Sequence, residues 1–291
     1  MNIVLFEAEE LTDPTPGSPA PPGGSSPRGR QPAASSRAVR LPANDRRARH
    51  IIDVLRLGPG DSLRAGVVDG ADCAGRLVSV EADGGLRIEL DTANDSGAAV
   101  PRSPSAGVAD PANPGVAARP LHPVRLLLGH PRPIVLRRLL RDLSTLGIEQ
   151  LVVVRTELGE KSYLESKLWQ GDDVRRLLVE GAEQAGSTLL PRVAKAWRLA
   201  DAIGQIVEGL EGAPRVVFDN AATGEAAAGS PVFADPGRII AVGSERGWTD
   251  GERSVLRDNG FQTARLGERI LRTETAAIAS VTVTLRELGI V

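Results

Sequence analysis

The run Arg238-Ile239-Ile240-Ala241-Val242-Gly243-Ser244-Glu245-Arg246-Gly247, followed about twenty residues later by Leu266-Gly267-Glu268-Arg269-Ile270-Leu271-Arg272-Thr273-Glu274-Thr275-Ala276, decides how this chain of 291 residues is read. Each stretch comes off an apolar run, 238–242 in the first case and 261–266 in the second, turns at glycine, and leads into a helix-like pattern. Short apolar runs bounded by such turns read as buried strands. Both turns are therefore expected at the carboxyl ends of neighbouring strands, where open α/β sheets bind ligands. Glycine at 243 and 247 lets backbone approach a ligand closely, because it has no Cβ and tolerates positive φ. Gly-x-x-x-Gly by itself describes an ordinary strand-to-helix turn; its pairing with the polar run 272–275 is what points to a site.

Working outward, 124–129 reads as a buried strand, and Ile134, Val135, Leu136, Leu139, Leu140, Leu143 and Leu146 then recur at helical spacing up to Gly147, with Pro133 near the start. Strands are expected at 150–154, 192–197 and 215–218. Between them Asp172 or Asp173 can cap a helix that closes at Gly186, and another helix runs over 199–210. Thr249-Asp250-Gly251-Glu252 is a capping box for a helix through Asp258, and a last helix spans about 273–288 with Gly289 as its stop. Strands and helices in alternation predict a parallel sheet covered on both faces.

The first half reads differently. Segments 62–68, 74–80 and 86–90 are separated by Asp69-Gly70 and Asp83-Gly84-Gly85, which are hairpin signals, so a small β-barrel is expected after a helical piece at 44–57. Residues 13–37 contain 16 Pro, Gly or Ser among 25 and read as a disordered insertion; 93–122 has a similar bias and reads as a linker. The expected domains are 1–92 and 123–291.

Composition narrows the function classes. No run approaches the 18 apolar residues of a membrane span, and Glu7, Glu9 and Glu10 stand where a signal peptide carries basic and then apolar residues, so a cytoplasmic protein is expected. A single cysteine, Cys73, excludes an internal disulfide, and His50, His122 and His130 are too scattered to suggest a metal site. There is no G-x-x-x-x-G-K-[ST] and no G-x-G-x-x-G after a strand, which argues against a P-loop NTPase or an ordinary dinucleotide enzyme. Net charge is only −2, yet residues 28–56 hold eight arginines against Asp45 and Asp53. That block reads equally as a solvated basic face or as a grip on a polyanion.

At the second turn, Thr273 and Glu274 read either as a helix cap or as functional groups, whereas Arg272 meets the positive end of a helix dipole and calls for an anionic partner. Glu183-Gln184 reads first as an exposed helix face. Four pieces together, namely 50–57 with Gly60-Asp61, Glu183-Gln184-Ala185-Gly186 with Leu190-Pro191, the 243–247 turn and 266–276, resemble the RsmE family of 16S ribosomal RNA uridine N3-methyltransferases in the SPOUT superfamily. The resemblance implies a PUA-like N-terminal barrel that helps grip RNA, a C-terminal domain with a deep trefoil knot, S-adenosylmethionine as cofactor, 16S ribosomal RNA of the small subunit as partner, and a homodimer. It places the cofactor loops on Gly243, Glu245 and Gly247 and on Leu266, Gly267, Ile270, Leu271 and Arg272. Arg272 is expected to hold phosphate or stabilise charge on a uracil carbonyl, and Glu274 to act as base; Arg40, Arg47, His50 and Arg56 are the expected RNA contacts. Three departures stand out: Gly-Ser-Glu-Arg-Gly replaces the family's Gly-Pro-Glu-Gly-Gly, Thr145 stands where a Glu precedes Leu-Gly, and Ser187 replaces an Arg. Alternatives are a methyltransferase of the same superfamily acting on another RNA, and a ribosomal RNA binder without catalysis.

Overall fold

The computed structural model describes residues 2–13, 36–92, 120–220 and 238–291. These fall into two compact units, one holding the described residues up to 92 together with 186–189, the other holding 120–185 and the described residues from 190 onward.

In the first unit, β1 (Val4–Phe6), β2 (Ser36–Leu41), β3 (Ser62–Val67), β4 (Asp72–Val80) and β5 (Leu86–Asp91) form one sheet in the order β1-β3-β4-β5-β2. β1 runs parallel to β3 and the remaining pairs are antiparallel. Alternation shows clearly in β5, where Leu86, Ile88 and Leu90 are buried. The turns are those the sequence announces, with Asp69 at φ 58° and Gly84 at φ 82°. Thr12 and Ala38 exchange both backbone hydrogen bonds at 2.8 Å, which ties the segment after β1 to edge strand β2 and curls the sheet into a half-barrel. The helical piece is shorter than expected: α1 (Arg46–Arg49) passes into a π-helical stretch, His50–Val54, and the two bury Ala48 and Ile51 respectively in the cluster of Phe6, Leu41 and Leu77.

Both edge strands escape the sequence reading. β1 has only three residues, and β2 starts inside the stretch 13–37 expected to be disordered; Arg37 there also pairs with Asp13 at 2.8 Å. The rest of that stretch, 14–35, lies outside the described residues, as does 93–119 of the expected linker. At the linker's other end Leu121 is buried and His122 already belongs to a strand.

The second unit alternates β6 (His122–Gly129), α2 (Pro133–Thr145), β7 (Ile148–Val154), α3 (Asp173–Ala185), β8 (Arg192–Ala196), α4 (Leu199–Val207), β9 (Arg215–Phe218), β10 (Arg238–Val242), α5 (Asp250–Asp258), β11 (Phe261–Ala264) and α6 (Thr273–Glu287). Its six strands are all parallel, in the order β11-β9-β10-β6-β7-β8. Pro133 opens α2, and Val135, Leu136, Leu139, Leu140 and Leu143 form its buried stripe. The capping box of α5 is formed as read: Thr249 Oγ1 accepts from Glu252 N at 3.2 Å, and Glu252 Oε2 accepts from Thr249 N at 2.8 Å. All five residues of β10 are buried, as a central parallel strand requires. α4 and α5 cover the face carrying Leu127, Val152, Val154, Ile239 and Ala241, and α6 packs on β6 and β10.

One expectation is corrected here. β10 and β11 are not neighbours, because β9 lies between them. Parallel strands joined by a crossover helix leave room for an intervening strand, and β9, formed earlier in the chain, occupies it.

Candidate functional site

Register brings the two turns together despite the intervening strand. Val242 of β10 and Ala264 of β11 both align with Phe218 of β9, so the chain leaves all three strands at one level. Beyond that level the segments after β9, β10 and β11 enclose a cavity of about 300 Å³, within the range of small-molecule sites. Six of the expected cofactor residues line it: Gly243, Glu245, Gly247, Leu266, Ile270 and Leu271. Gly267, at φ 116°, and Arg272 flank the wall without lining it.

The 243–247 turn is closed by Gly247 N–H donating to Ser244 O at 2.9 Å, with Gly247 at φ 69°, a conformation that favours glycine. A Cβ on Gly243 would stand 2.9 Å from Gly247 Cα, so the turn is too tight for a side chain there. Gly129 at the end of β6, which the sequence reading left as an ordinary strand end, does similar work. A Cβ on it would come 2.5 Å from Ser244 N and 2.8 Å from Thr156 Cγ2. Ser244, which replaces the family's proline, lies 3.2 Å from Thr156 through the two hydroxyl oxygens.

Sequence reasoning missed Phe218, Asp219, Asn220, Trp248 and Arg253 on the cavity wall. Asp219 and Asn220 follow β9, and the carboxyl-end rule that flagged the other turns would have flagged them too. Arg253 Nε donates to Asp219 at 2.8 Å and its Nη1 to Asp250 at 2.8 Å, which fixes the carboxylate at the rim. Trp248 is 2% exposed, and among the described residues its Nε1 finds no acceptor. A buried indole N–H ordinarily has a partner.

The expected catalytic pair lies just outside this wall. Arg272 is the N-cap of α6, exposed, with no side-chain capping bond, while Thr273 behind it is buried and lines the cavity. Glu274 is half-buried in the first turn and does not line the cavity.

A second cavity, of about 220 Å³, opens at the carboxyl ends of β6 and β7 and shares Ser244, Glu245 and Arg246 with the first. His130 is 3% exposed and has both ring nitrogens engaged: Nδ1 faces Pro131 O at 2.5 Å, and Nε2 accepts from Trp169 Nε1 at 2.9 Å. Those partners assign the proton to Nδ1. Burial pushes the imidazole pKa below its ordinary value of 6.5, so the ring is neutral at pH 7.

Other expected residues are placed as follows. Arg47 spends its guanidinium inside the first unit, on Leu5 O at 2.9 Å, on Glu10 at 2.6 and 2.8 Å, and on Asp45 at 2.8 and 3.1 Å, while stacking 5.3 Å from the Phe6 ring centre. Burial opposes its charge, and the hydrogen bonds it donates to Glu10 and Asp45 outweigh that, so its pKa is raised. Arg47 therefore acts as a fixture of the half-barrel. Arg40 pairs on the surface with Glu81 and Asp83, His50 is half-buried, and Arg56 is exposed at φ 56°. Glu183, read as part of an exposed face, is fully buried, whereas Gln184 is exposed. Thr145 closes α2 by donating to Arg141 O at 2.9 Å and Gly181 O at 3.1 Å, and Ser187 Oγ accepts from Leu189 N at 3.3 Å. Among the described residues no three His, Cys, Asp or Glu side chains are grouped to hold a metal ion, and no helix is long and apolar enough to cross a membrane.

Comparison with known proteins agrees with this architecture. Residues 118–285 match the model of the RNA methyltransferase domain family. The chain is 35% identical to the ribosomal RNA small subunit methyltransferase E of Treponema pallidum, over 98% of this chain and 91% of that protein. It is 30% identical to ribosomal RNA small subunit methyltransferase E 1 of Borreliella burgdorferi, over 56% of this chain and 67% of that one. In fold it is similar to the crystal structure of a ribosomal RNA small subunit methyltransferase E from Neisseria gonorrhoeae bound to S-adenosyl methionine, with a TM-score of 0.65, 20% identity, and coverage of 98% and 97% of the two chains.

Proposed function

Since the chain belongs to the ribosomal RNA small subunit methyltransferase E family of RNA methyltransferases, we propose that it methylates N3 of a uridine in 16S ribosomal RNA with S-adenosylmethionine as donor. The observation that carries this reading is the convergence of the 243–247 and 266–271 segments on one cavity at the carboxyl edge of the sheet. The residues present suit the donor. Gly243 and Gly247 leave backbone bare on one wall, Leu266, Ile270 and Leu271 supply apolar surface, and the unpaired Trp248 N–H offers a hydrogen bond to a polar ligand atom. S-adenosylmethionine, when bound, supplies a methyl group made electrophilic by its sulfonium.

What the chain contributes is placement. Holding two reactants in line is worth roughly 7 to 11 kcal/mol, against roughly 3 to 5 kcal/mol for a positioned general base. The same proposal assigns Arg272 to phosphate or to charge on a uracil carbonyl and Glu274 to proton acceptance; Arg272 carries no ion pair among the described residues, which suits it to an anionic partner. It also covers the half-barrel of 1–92 as an RNA grip with Arg40, His50 and Arg56 as contacts, 123–291 as the catalytic domain with its trefoil knot, a cytoplasmic place of action, and a homodimer. Ile270, 87% exposed beside the cavity, suits burial against a second copy.

The test is incubation of the protein with small ribosomal subunits from a strain lacking the corresponding methyltransferase and a radiolabelled methyl donor. Label on N3 of a uridine in 16S ribosomal RNA is expected. Label on another RNA would favour a different substrate, and no heat on titration with donor would leave a binding protein.

A further inference from the structure

The second cavity is not needed to hold a methyl donor, and its lining has a different character. We infer that it receives the target base, and that Arg132 and Glu245 together recognise an edge on which a carbonyl oxygen stands beside a ring N–H, as uracil presents at O4 and N3. This inference rests on the proposed methyl transfer to a uridine and concerns the base as it is first bound; removal of the N3 proton during transfer stays with Glu274.

The two cavities adjoin. The Ser244–Arg246 turn is a wall common to both cavities, so a base in one lies directly across three residues from a ligand in the other. The second cavity also carries aromatic surface. His130 and Tyr163 present rings whose centres lie 5.7 Å apart at an interplanar angle of 43°. His130 is buried with both ring nitrogens engaged, so it backs the half-buried Tyr163, whose ring supplies a flat uncharged surface of the kind on which bases pack.

A polar pair completes the lining of this cavity. Glu245 Oε1 accepts from the Arg132 backbone N–H at 2.9 Å and lies 3.5 Å from Arg132 Nε. Among the described residues Glu245 Oε2 and the two terminal nitrogens of Arg132 have no hydrogen bond. A free carboxylate oxygen beside free guanidinium donors complements a ring N–H beside a carbonyl. The N-cap position of α2 fixes the Arg132 backbone, and the tight turn built on Gly243 and Gly247 fixes that of Glu245.

The test uses the full chain and short single-stranded RNA oligonucleotides differing at one position, uridine, N3-methyluridine or cytidine, with binding followed by tryptophan fluorescence, since Trp169 bonds the His130 wall. Uridine should bind at least about tenfold more tightly than N3-methyluridine, because hydrogen bonds to charged groups are worth that much. Arg132→Gln should lower uridine affinity by a similar factor, and Tyr163→Ala should weaken all three oligonucleotides while leaving the calorimetric affinity for S-adenosylmethionine unchanged. Equal binding of the uridine and N3-methyluridine oligonucleotides, or variants indistinguishable from the parent, would overturn the assignment. Failure of the donor to bind at all would instead remove the proposed function, and the oligonucleotide comparison would still report on the pocket.

Discussion

Gly129→Ala isolates the geometric premise of the site. Gly129 ends β6 without a left-handed φ, so alanine is free to adopt its backbone conformation and any effect is steric. The added methyl carbon would lie 2.5 Å from Ser244 N, 2.8 Å from Thr156 Cγ2 and 3.0 Å from Gly243 C. Comfortable carbon contacts begin near about 3.5 Å, so the backbone of the turn must retreat by roughly 0.5 to 1 Å. Overpacking of that kind costs about 1 to 3 kcal/mol, and at about 2 to 4 °C per kcal/mol for a chain of this order of size the melting temperature should fall by several degrees. A turn displaced this far no longer matches its ligand, and a loss of about 1.4 kcal/mol would already weaken donor binding tenfold. Scanning calorimetry and isothermal titration with S-adenosylmethionine read the two effects. Gly204→Ala is the companion: nothing lies within 4 Å of the added carbon in the interior of α4, so it should stabilise by about 0.5 to 1 kcal/mol and leave binding untouched. A Gly129→Ala protein that melts with the parent and binds donor equally well would refute the claim that bare backbone at the end of β6 seats the turn.

Arg272→Ala should lower turnover at least about tenfold with the calorimetric donor affinity nearly intact, and an unchanged rate would remove Arg272 from the mechanism. Thr249→Ala, which deletes the Oγ1 that accepts from Glu252 N and donates to Glu157 at 2.7 Å, should cost about 1 kcal/mol in chemical denaturation. Burial lowers the pKa of His122 and His130 in the folded protein, so the unfolded chain takes up protons first; stability should fall as pH drops below about 6.5, and a melting temperature flat between pH 7.5 and 5.5 would contradict it. With Arg47 locked inside the half-barrel and Arg40 paired, the salt dependence of RNA binding should be shallower than the slope of roughly −4 to −5 expected if the excess of six positive charges over 28–56 neutralised six phosphates, which a salt titration checks.

The parallel sheet was legible because each of its elements carries its own punctuation. Pro133 marks the start of α2, Thr249 and Glu252 that of α5, and Gly289 the end of α6, and each signal acts within a few residues. Edge strands β1 and β2 were not legible, because what makes them strands is distant pairing: Val4 to Phe6 with 65–67, and Ser36 to Leu41 with 86–91. Three apolar residues at one end and a Ser-Arg start at the other contain too little periodicity to betray a partner far along the chain. Strand order was hidden for the same reason, since local spacing orders β10 before β11 and cannot insert β9 between them.

The site divides along similar lines. Residues whose role is backbone shape, Gly243 and Gly247, announce themselves, because few residue types can take their place. Residues that contribute a side chain from a third strand, such as Asp219, or that matter for being small against a neighbour, such as Gly129, depend on what the fold sets opposite them. Charge misleads for a related reason. Counting arginines from 28 to 56 suggests a continuous basic face, but Arg47 is answered by Glu10 and Asp45, and Arg40 by Glu81 and Asp83. Glu245 belongs to neither group: its place in the glycine turn is local, while its meaning depends on Arg132 beyond the neighbouring strand β6, 113 residues earlier. A residue fixed by a local turn yet paired at long range is where one segment can serve two cavities, so substitution at 245 should disturb both donor and base, whereas substitution at Tyr163 should disturb the base alone.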